Sequence, residues 1–202
     1  MFSLADPAKQ TLLQVARRAV VLAAERRELL EELPTDERLR QPSGAFVTLH
    51  RFGQLRGCVG QLSSNEALIS VVAYCAMAAA LEDPRFSPLS VVELSGVAIE
   101  ISVLSPLEEI SPERIEPGKH GLLISRGRQR GVLLPQVAQE YRWTGARFLE
   151  ETCAKAGLER DAWKQAGTRV QGFTAEVFSE AEFHPGPRPA ANRAKSGYST
   201  ST

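Results

Sequence analysis

The sequence predicts an α+β protein: a mainly antiparallel sheet with helices packed against it. Three observations carry that expectation. Gly53 and Gly127 each stand between two short runs rich in strand formers, the pattern of a β-hairpin. Two longer stretches, starting near Pro7 and Leu68, repeat apolar residues at helical spacing. The order of these elements lacks the regular strand–helix alternation of a parallel sheet. No internal repeat is evident.

Taken along the chain, Asp6-Pro7 reads as an N-cap followed by proline at the first helical position. Leu12, Ala16, Ala19 and Ala23 then form the buried stripe, with the charged residues facing water. Pro34 stops the helix, and the polar stretch to Ser43 is a connector. Phe46-Val47-Thr48-Leu49-His50 and Leu55-Arg56-Gly57-Cys58-Val59-Gly60 make the first hairpin. Its register has two solutions. A two-residue turn at Phe52-Gly53 sets Cys58 across from Val47, on an apolar face. A three-residue loop sets Cys58 across from Thr48 and Arg56 across from His50. One residue of slip exchanges the faces.

Ser63 and Glu66 have the spacing of a capping box, ahead of a helix whose stripe is Leu68, Val72, Cys75 and Ala79. Cys75 is therefore expected as a small core residue. Asp83 and Arg85 are expected to pair in the turn that ends this helix. Val97, Ile99, Ile101 and Val103 alternate with Ala98, Glu100 and Ser102, so Glu100 sits mid-strand, solvated or facing a cation such as Arg56. After a proline-rich loop, Leu122-Leu123-Ile124 and Val132-Leu133-Leu134 flank the second hairpin. If it stays extended, Arg126, Arg128 and Arg130 share one side as a soluble tip or an anion site. Pro135 opens a helix. Phe148, Thr152 and Ala156 mark another, with Cys153 in its core and Gly157 as its C-cap. Phe173, Ala175 and Val177 mark a last strand. The domain is expected over residues 1–183, with a disordered tail at 184–202.

With 43% apolar residues and 24 basic against 24 acidic side chains, the composition is that of a globular protein. It lacks the basic excess of a general nucleic-acid binder. No apolar run is long enough to span a bilayer and no signal-peptide pattern is present, so a cytoplasmic protein is expected. The three cysteines, Cys58, Cys75 and Cys153, form no C-x-x-C pair. Neither metal nor cofactor is expected.

The chemistry concentrates at residues 55–60. In an extended strand Arg56 and Cys58 share a face, and a guanidinium beside a thiol favours the thiolate. Gly57 and Gly60 leave room for a ligand or another backbone.

These segments resemble the AMMECR family, called AmmeMemoRadiSam system protein A in bacteria and archaea. The stretches that carry the resemblance are Phe46-Val47-Thr48-Leu49, Leu55 to Gly60, Asp83-Pro84-Arg85-Phe86, Ile99-Glu100-Ile101-Ser102, His120-Gly121-Leu122 and Leu133-Leu134-Pro135-Gln136-Val137-Ala138. Trp143, Phe148-Leu149 and Lys155-Ala156-Gly157-Leu158 complete the order. Val59 stands where the family usually has isoleucine, and Phe52 where asparagine is common.

The resemblance implies an α+β domain with a smaller subdomain and a cleft beside the Arg-Gly-Cys stretch. It also implies a system with a Memo-like protein and a radical-SAM protein as partners. The leading expectation is a binding component. Arg56, Gly57 and Gly60 would shape a cleft for a small molecule or peptide. The alternative is an enzyme with Cys58 as thiolate nucleophile, His120 as acid or base and Glu100 orienting it. Nucleic-acid binding, through the arginine hairpin with Tyr141 and Trp143, is a third reading.

Overall fold

The computed structural model describes residues 3–183, so the expected tail at 184–202 lies outside the described residues. The elements in order are α1 (Asp6–Arg26), β1 (Ala45–Arg51), β2 (Gln54–Gln61), α2 (Leu68–Leu81), β3 (Val97–Leu104), β4 (Glu108–Glu109), β5 (His120–Arg126), β6 (Gln129–Leu133), α3 (Pro135–Glu140), α4 (Gly145–Lys155), β7 (Arg169–Ser179) and α5 (Glu180–Phe183). The strands form one antiparallel sheet in the order β2-β1-β3-β7-β5-β6, with β4 also on β7. Among the described residues no helix is long and apolar enough to cross a membrane.

Strand β7 joins two halves. Residues 175–179 pair with β3, and residues 169–174 pair with β5. Each half has its own apolar core. The larger lies beneath α1 and α2, where Leu12, Ala16, Ala19, Ala23, Val72 and Cys75 are fully buried against Val47, Leu49, Ile99 and Ile101. The smaller gathers Leu122, Ile124, Phe148, Leu149 and Cys153 beneath α4; it is the smaller subdomain. Burial raises the Cys75 thiol to about 11 and also raises that of Cys153, since an apolar environment disfavours the thiolate.

The first hairpin combines the two registers. Its turn is the two-residue one: Arg51 faces Gln54, and Phe52 and Gly53 have φ of 52° and 77°, as a type I′ turn needs. Then Arg56 is an extra residue. His50 opposes Leu55, Leu49 opposes Gly57, and from there Cys58 faces Thr48. A bulge of this kind advances one strand by one residue and exchanges the faces beyond it.

Three local expectations are corrected. Ser63 and Glu66 make no capping box: Ala67 is the N-cap of α2 and the Glu66 amide donates to Ser64 Oγ. The arginines of the second hairpin do not form a row. Arg126 faces Gln129 and Arg130 faces Ser125, so Arg126 and Arg130 lie on opposite faces. Arg126 is moreover held by Thr168 Oγ1, Gln165 Oε1 and the Ala162 carbonyl. Finally, Tyr141 and Trp143 stack on each other, 5.0 Å between centroids, rather than standing apart as platforms for bases.

Candidate functional site

Strand β2 is an edge of the sheet, so alternate backbone groups along it face away from β1 with no strand to meet them. At Cys58 the turn after α2 takes that place. The Cys58 amide donates to Asp83 Oδ2 at 2.8 Å, and Arg85 Nη2 reaches the Cys58 carbonyl at 3.5 Å. Arg85 also donates through Nε and Nη2 to the two Asp83 oxygens, at 2.9 and 2.7 Å. Asp83 is only 4% exposed. The Arg85 guanidinium, helped by the Cys58 and Arg85 amides, holds its carboxyl far below the usual range against the opposing effect of burial. The expected Asp83–Arg85 pair is present, and its further task is to complete the ladder at Cys58.

Arg56 does not turn to the thiol. As the bulge residue it leaves the strand alternation. Its Nε and Nη2 donate to the two Glu93 oxygens at 2.8 and 3.1 Å, and Nη2 also to the Ser87 carbonyl. Both partners are mostly buried, with side chains 13% and 15% exposed. Arg56, then the amide and hydroxyl of Ser90, draw the Glu93 carboxyl down to about 2. The anion that meets Arg56 is therefore Glu93 rather than Glu100. The Ser90-x-x-Glu93 spacing was the sequence signal for it, since Glu93 caps the turn at Val91–Gly96.

The spaces beside the two glycines are filled by the chain itself. A Cβ on Gly57 would lie 2.1 Å from the Ala79 carbonyl oxygen, and one on Gly60 2.2 Å from the Phe46 ring. Gly57 lets the alanine-rich face of α2 rest on β2, and Gly60 lets the ring of its cross-strand neighbour lie over the strand. The approach of another backbone, expected from the sequence, is that of α2.

The Cys58 side chain points to the other face. There Thr48 Oγ1 donates to Cys58 Sγ at 3.3 Å. Thr48 is in register with Glu100 and Glu100 with Ser179, so Cys58, Thr48, Glu100 and Ser179 make one row across four strands. Cys58, Thr48 and Glu100 are each half-buried. Along β1, residues 45, 47 and 49 are buried under the helices while Phe46, Thr48 and His50 face away from them. His50, two residues from Thr48, is thus a diagonal neighbour of Cys58, at roughly 6–8 Å for such pairs.

His120 is not part of this group. It begins β5, with β1, β3 and β7 between it and β2, about 19 Å away at ~4.8 Å per strand. The candidate site residues are thus separated: Cys58 and Glu100 share a face, Arg56 is engaged by Glu93, and His120 belongs to the other half. The sequence brings Thr48 and His50 to the site in only one of the two registers, as the residues across from Cys58 and Arg56; the structure places Thr48 across from Cys58 and His50 across from Leu55. Among the described residues no cluster of three or more histidine, cysteine or acidic side chains is placed to hold a metal.

A sheet of this order with an Asp-Arg clamp on a cysteine-bearing edge defines a class of domain, and comparison with known proteins says which. The AMMECR1 family model matches residues 13–178. The chain belongs to the AMMECR1 family. A protein of Aquifex aeolicus is 42% identical over 179 residues, covering 85% of this chain and 92% of its own. Protein PF1979 of Pyrococcus furiosus is 37% identical over 201 residues, covering 93% and 94%. The crystal structure of protein PH0010 from Pyrococcus horikoshii superposes with a TM-score of 0.82 at 37% identity, over 89% of this chain and 94% of that one.

Proposed function

We propose that the protein is a binding component of a multi-protein system that includes a Memo-like and a radical-SAM protein. Its binding surface is the sheet face bearing Cys58, Thr48, Glu100 and His50. One observation carries this reading: a half-buried row of hydrogen-bonding side chains lies on the face that α1 and α2 leave uncovered, on a strand edge held by two ion pairs. Such a row offers hydroxyl, thiol and carboxylate groups at regular spacing to a polar partner segment. Arg56, Gly57 and Gly60 are not part of the row; their polar groups and free space are already used within the chain.

The test is co-purification with the Memo-like protein. Thr48→Val and Glu100→Ala, half-buried and turned away from α1 and α2, should leave the fold intact and lower capture at least fivefold. Cys58→Ser should retain it. Unchanged capture by both of the first two variants excludes this face.

A second reading, a Cys58 nucleophile, is favoured by the diagonal placement of His50, which is the histidine on the thiol's own face. It requires that His50→Gln slow Cys58 alkylation by iodoacetamide near neutral pH by tenfold or more. An unchanged rate removes it.

A further inference from the structure

His120, distant from Cys58, has an arrangement of its own. The Glu116 amide donates to His120 Nδ1 at 3.0 Å. A ring nitrogen that accepts carries no proton, so in the neutral ring the proton sits on Nε2. Partial burial, then the charges of Lys119 and Arg114, keep the ring below the ordinary histidine range. His120 is thus a neutral donor held in one tautomer, suited to an acceptor oxygen and unsuited to a metal or to taking a proton at Nε2.

That ring lines a cavity of about 170 Å³ with Ser105, Glu108, Arg114, Phe173 and Thr174. At ~30 Å³ per water this is five to six water volumes, room for about as many non-hydrogen atoms. The walls are fixed. Thr174 is the cross-strand partner of His120; the Thr174 amide donates to Ser105 Oγ and the Ser105 amide to the Thr174 carbonyl, each at 2.9 Å. Pro106 and Ile110 add apolar lining, whereas the Phe173 ring packs over Gly121 on the other face of the sheet. Glu109, which also lines the cavity, pairs with Arg169 at 3.1 Å, while among the described residues Glu108 and Arg114 form no salt bridge. Besides the paired Glu109, the cavity therefore holds one uncommitted cation, one uncommitted carboxylate and one oriented neutral donor, beside the apolar Pro106 and Ile110.

We infer that this cavity is a binding site for a small zwitterion of the α-amino-acid class. The carboxylate would meet His120 Nε2–H and Arg114, the ammonium would meet Glu108, and a short side chain would rest against Pro106 and Ile110. A bare anion or a bare amine satisfies only half of these groups, so the site discriminates in favour of a molecule bearing both. This site lies in the other half of the sheet and goes beyond the partner-binding face proposed above.

The test is titration of the full chain with L-alanine, followed by the His120 ring signals in ¹H–¹⁵N spectra and by calorimetry. Acetate and methylammonium serve as half-ligands. Saturable binding that shifts the His120 signals is expected, with each half-ligand at least tenfold weaker. Arg114→Gln and Glu108→Gln, both at exposed positions, should each weaken L-alanine at least tenfold while leaving the melting curve unchanged. His120→Gln should do the same, and if that variant misfolds the other two decide. Absence of any shift at His120, or affinity unchanged in Arg114→Gln and Glu108→Gln, overturns the inference. Capture of the Memo-like protein is unaffected in either case, so the two proposals fail separately.

Discussion

Asp83 holds the amide of Cys58, 2.8 Å from nitrogen to carboxylate oxygen, across the one side of β2 that no strand covers. A buried carboxylate has become the substitute for a neighbouring strand, with Arg85 as its counter-ion. Removing it leaves the Cys58 amide and the Arg85 guanidinium without their partner. Asp83→Ala should therefore cost about 3 kcal/mol and lower the melting temperature by roughly 6–12 °C for a chain of this size. Arg85→Ala should cost less, because its side chain is 54% exposed and water replaces part of the contact. Equal losses in thermal melts would mean that Asp83 is not the organising partner.

Acid should weaken the fold through the same clamps. The folded-state values of Asp83 and Glu93 lie below their unfolded ones. Each thus contributes stability that is full above its unfolded value and is lost as pH falls toward the folded one. For Glu93 the window runs from 4.5 down to about 2. The loss there is on the order of 2 kcal/mol, after discounting for partial exposure. Urea unfolding measured from pH 6 to pH 2.5 should show stability dropping below pH 4.5. Glu93→Gln should be less stable at pH 6 and show a shallower drop. A variant with the wild-type slope would count against the Arg56–Glu93 pair.

The thiols should divide one against two. Cys58 is half-buried on the open face, whereas Cys75 and Cys153 are fully buried and burial raises both of their thiols. In native buffer an aromatic disulfide reagent should modify one thiol per chain quickly, and all three after unfolding. Mass mapping should place the first label on Cys58. A second fast site would contradict the packing of α2 or α4.

How far the sequence reached follows from what each feature depends on. The stripes of α1 and α2 and the alternation of β3 are local, and they were readable because burial enforces a period. The buried state of Cys75 and Cys153 came with those stripes. The face that Cys58 occupies depended on one extra residue at Arg56. No local pattern announces a bulge, so neither register alone was right. Glu93 was not readable as the partner of Arg56 for a related reason: it lies in the turn before β3 while Glu100 sits mid-strand, and only the close of that turn brings Glu93 to Arg56. His120 and Cys58 are chemically matched, but strand order separates them, and strand order is set by packing across the whole sheet.

The turn that carries Phe52 offers the last expectation. Phe52 is 82% exposed and sits at φ 52°, a conformation that costs an L-residue with a bulky side chain roughly 1 kcal/mol. Its ring gains something back, lying 4.9 Å from the Arg51 guanidinium, an exposed contact worth about 0.5–1 kcal/mol. Asparagine tolerates the left-handed region better and suits the first position of a type I′ turn followed by glycine. Phe52→Asn should therefore be neutral to stabilising by up to about 1 kcal/mol, despite removing a large apolar side chain. Phe52→Val, with a β-branched residue in the same conformation, should be destabilising by about 1–2 kcal/mol. Chemical denaturation of the two variants separates turn strain from ring packing. If both lose the same stability, the ring's contacts with Arg51 hold the hairpin tip and the left-handed turn is not its weak point.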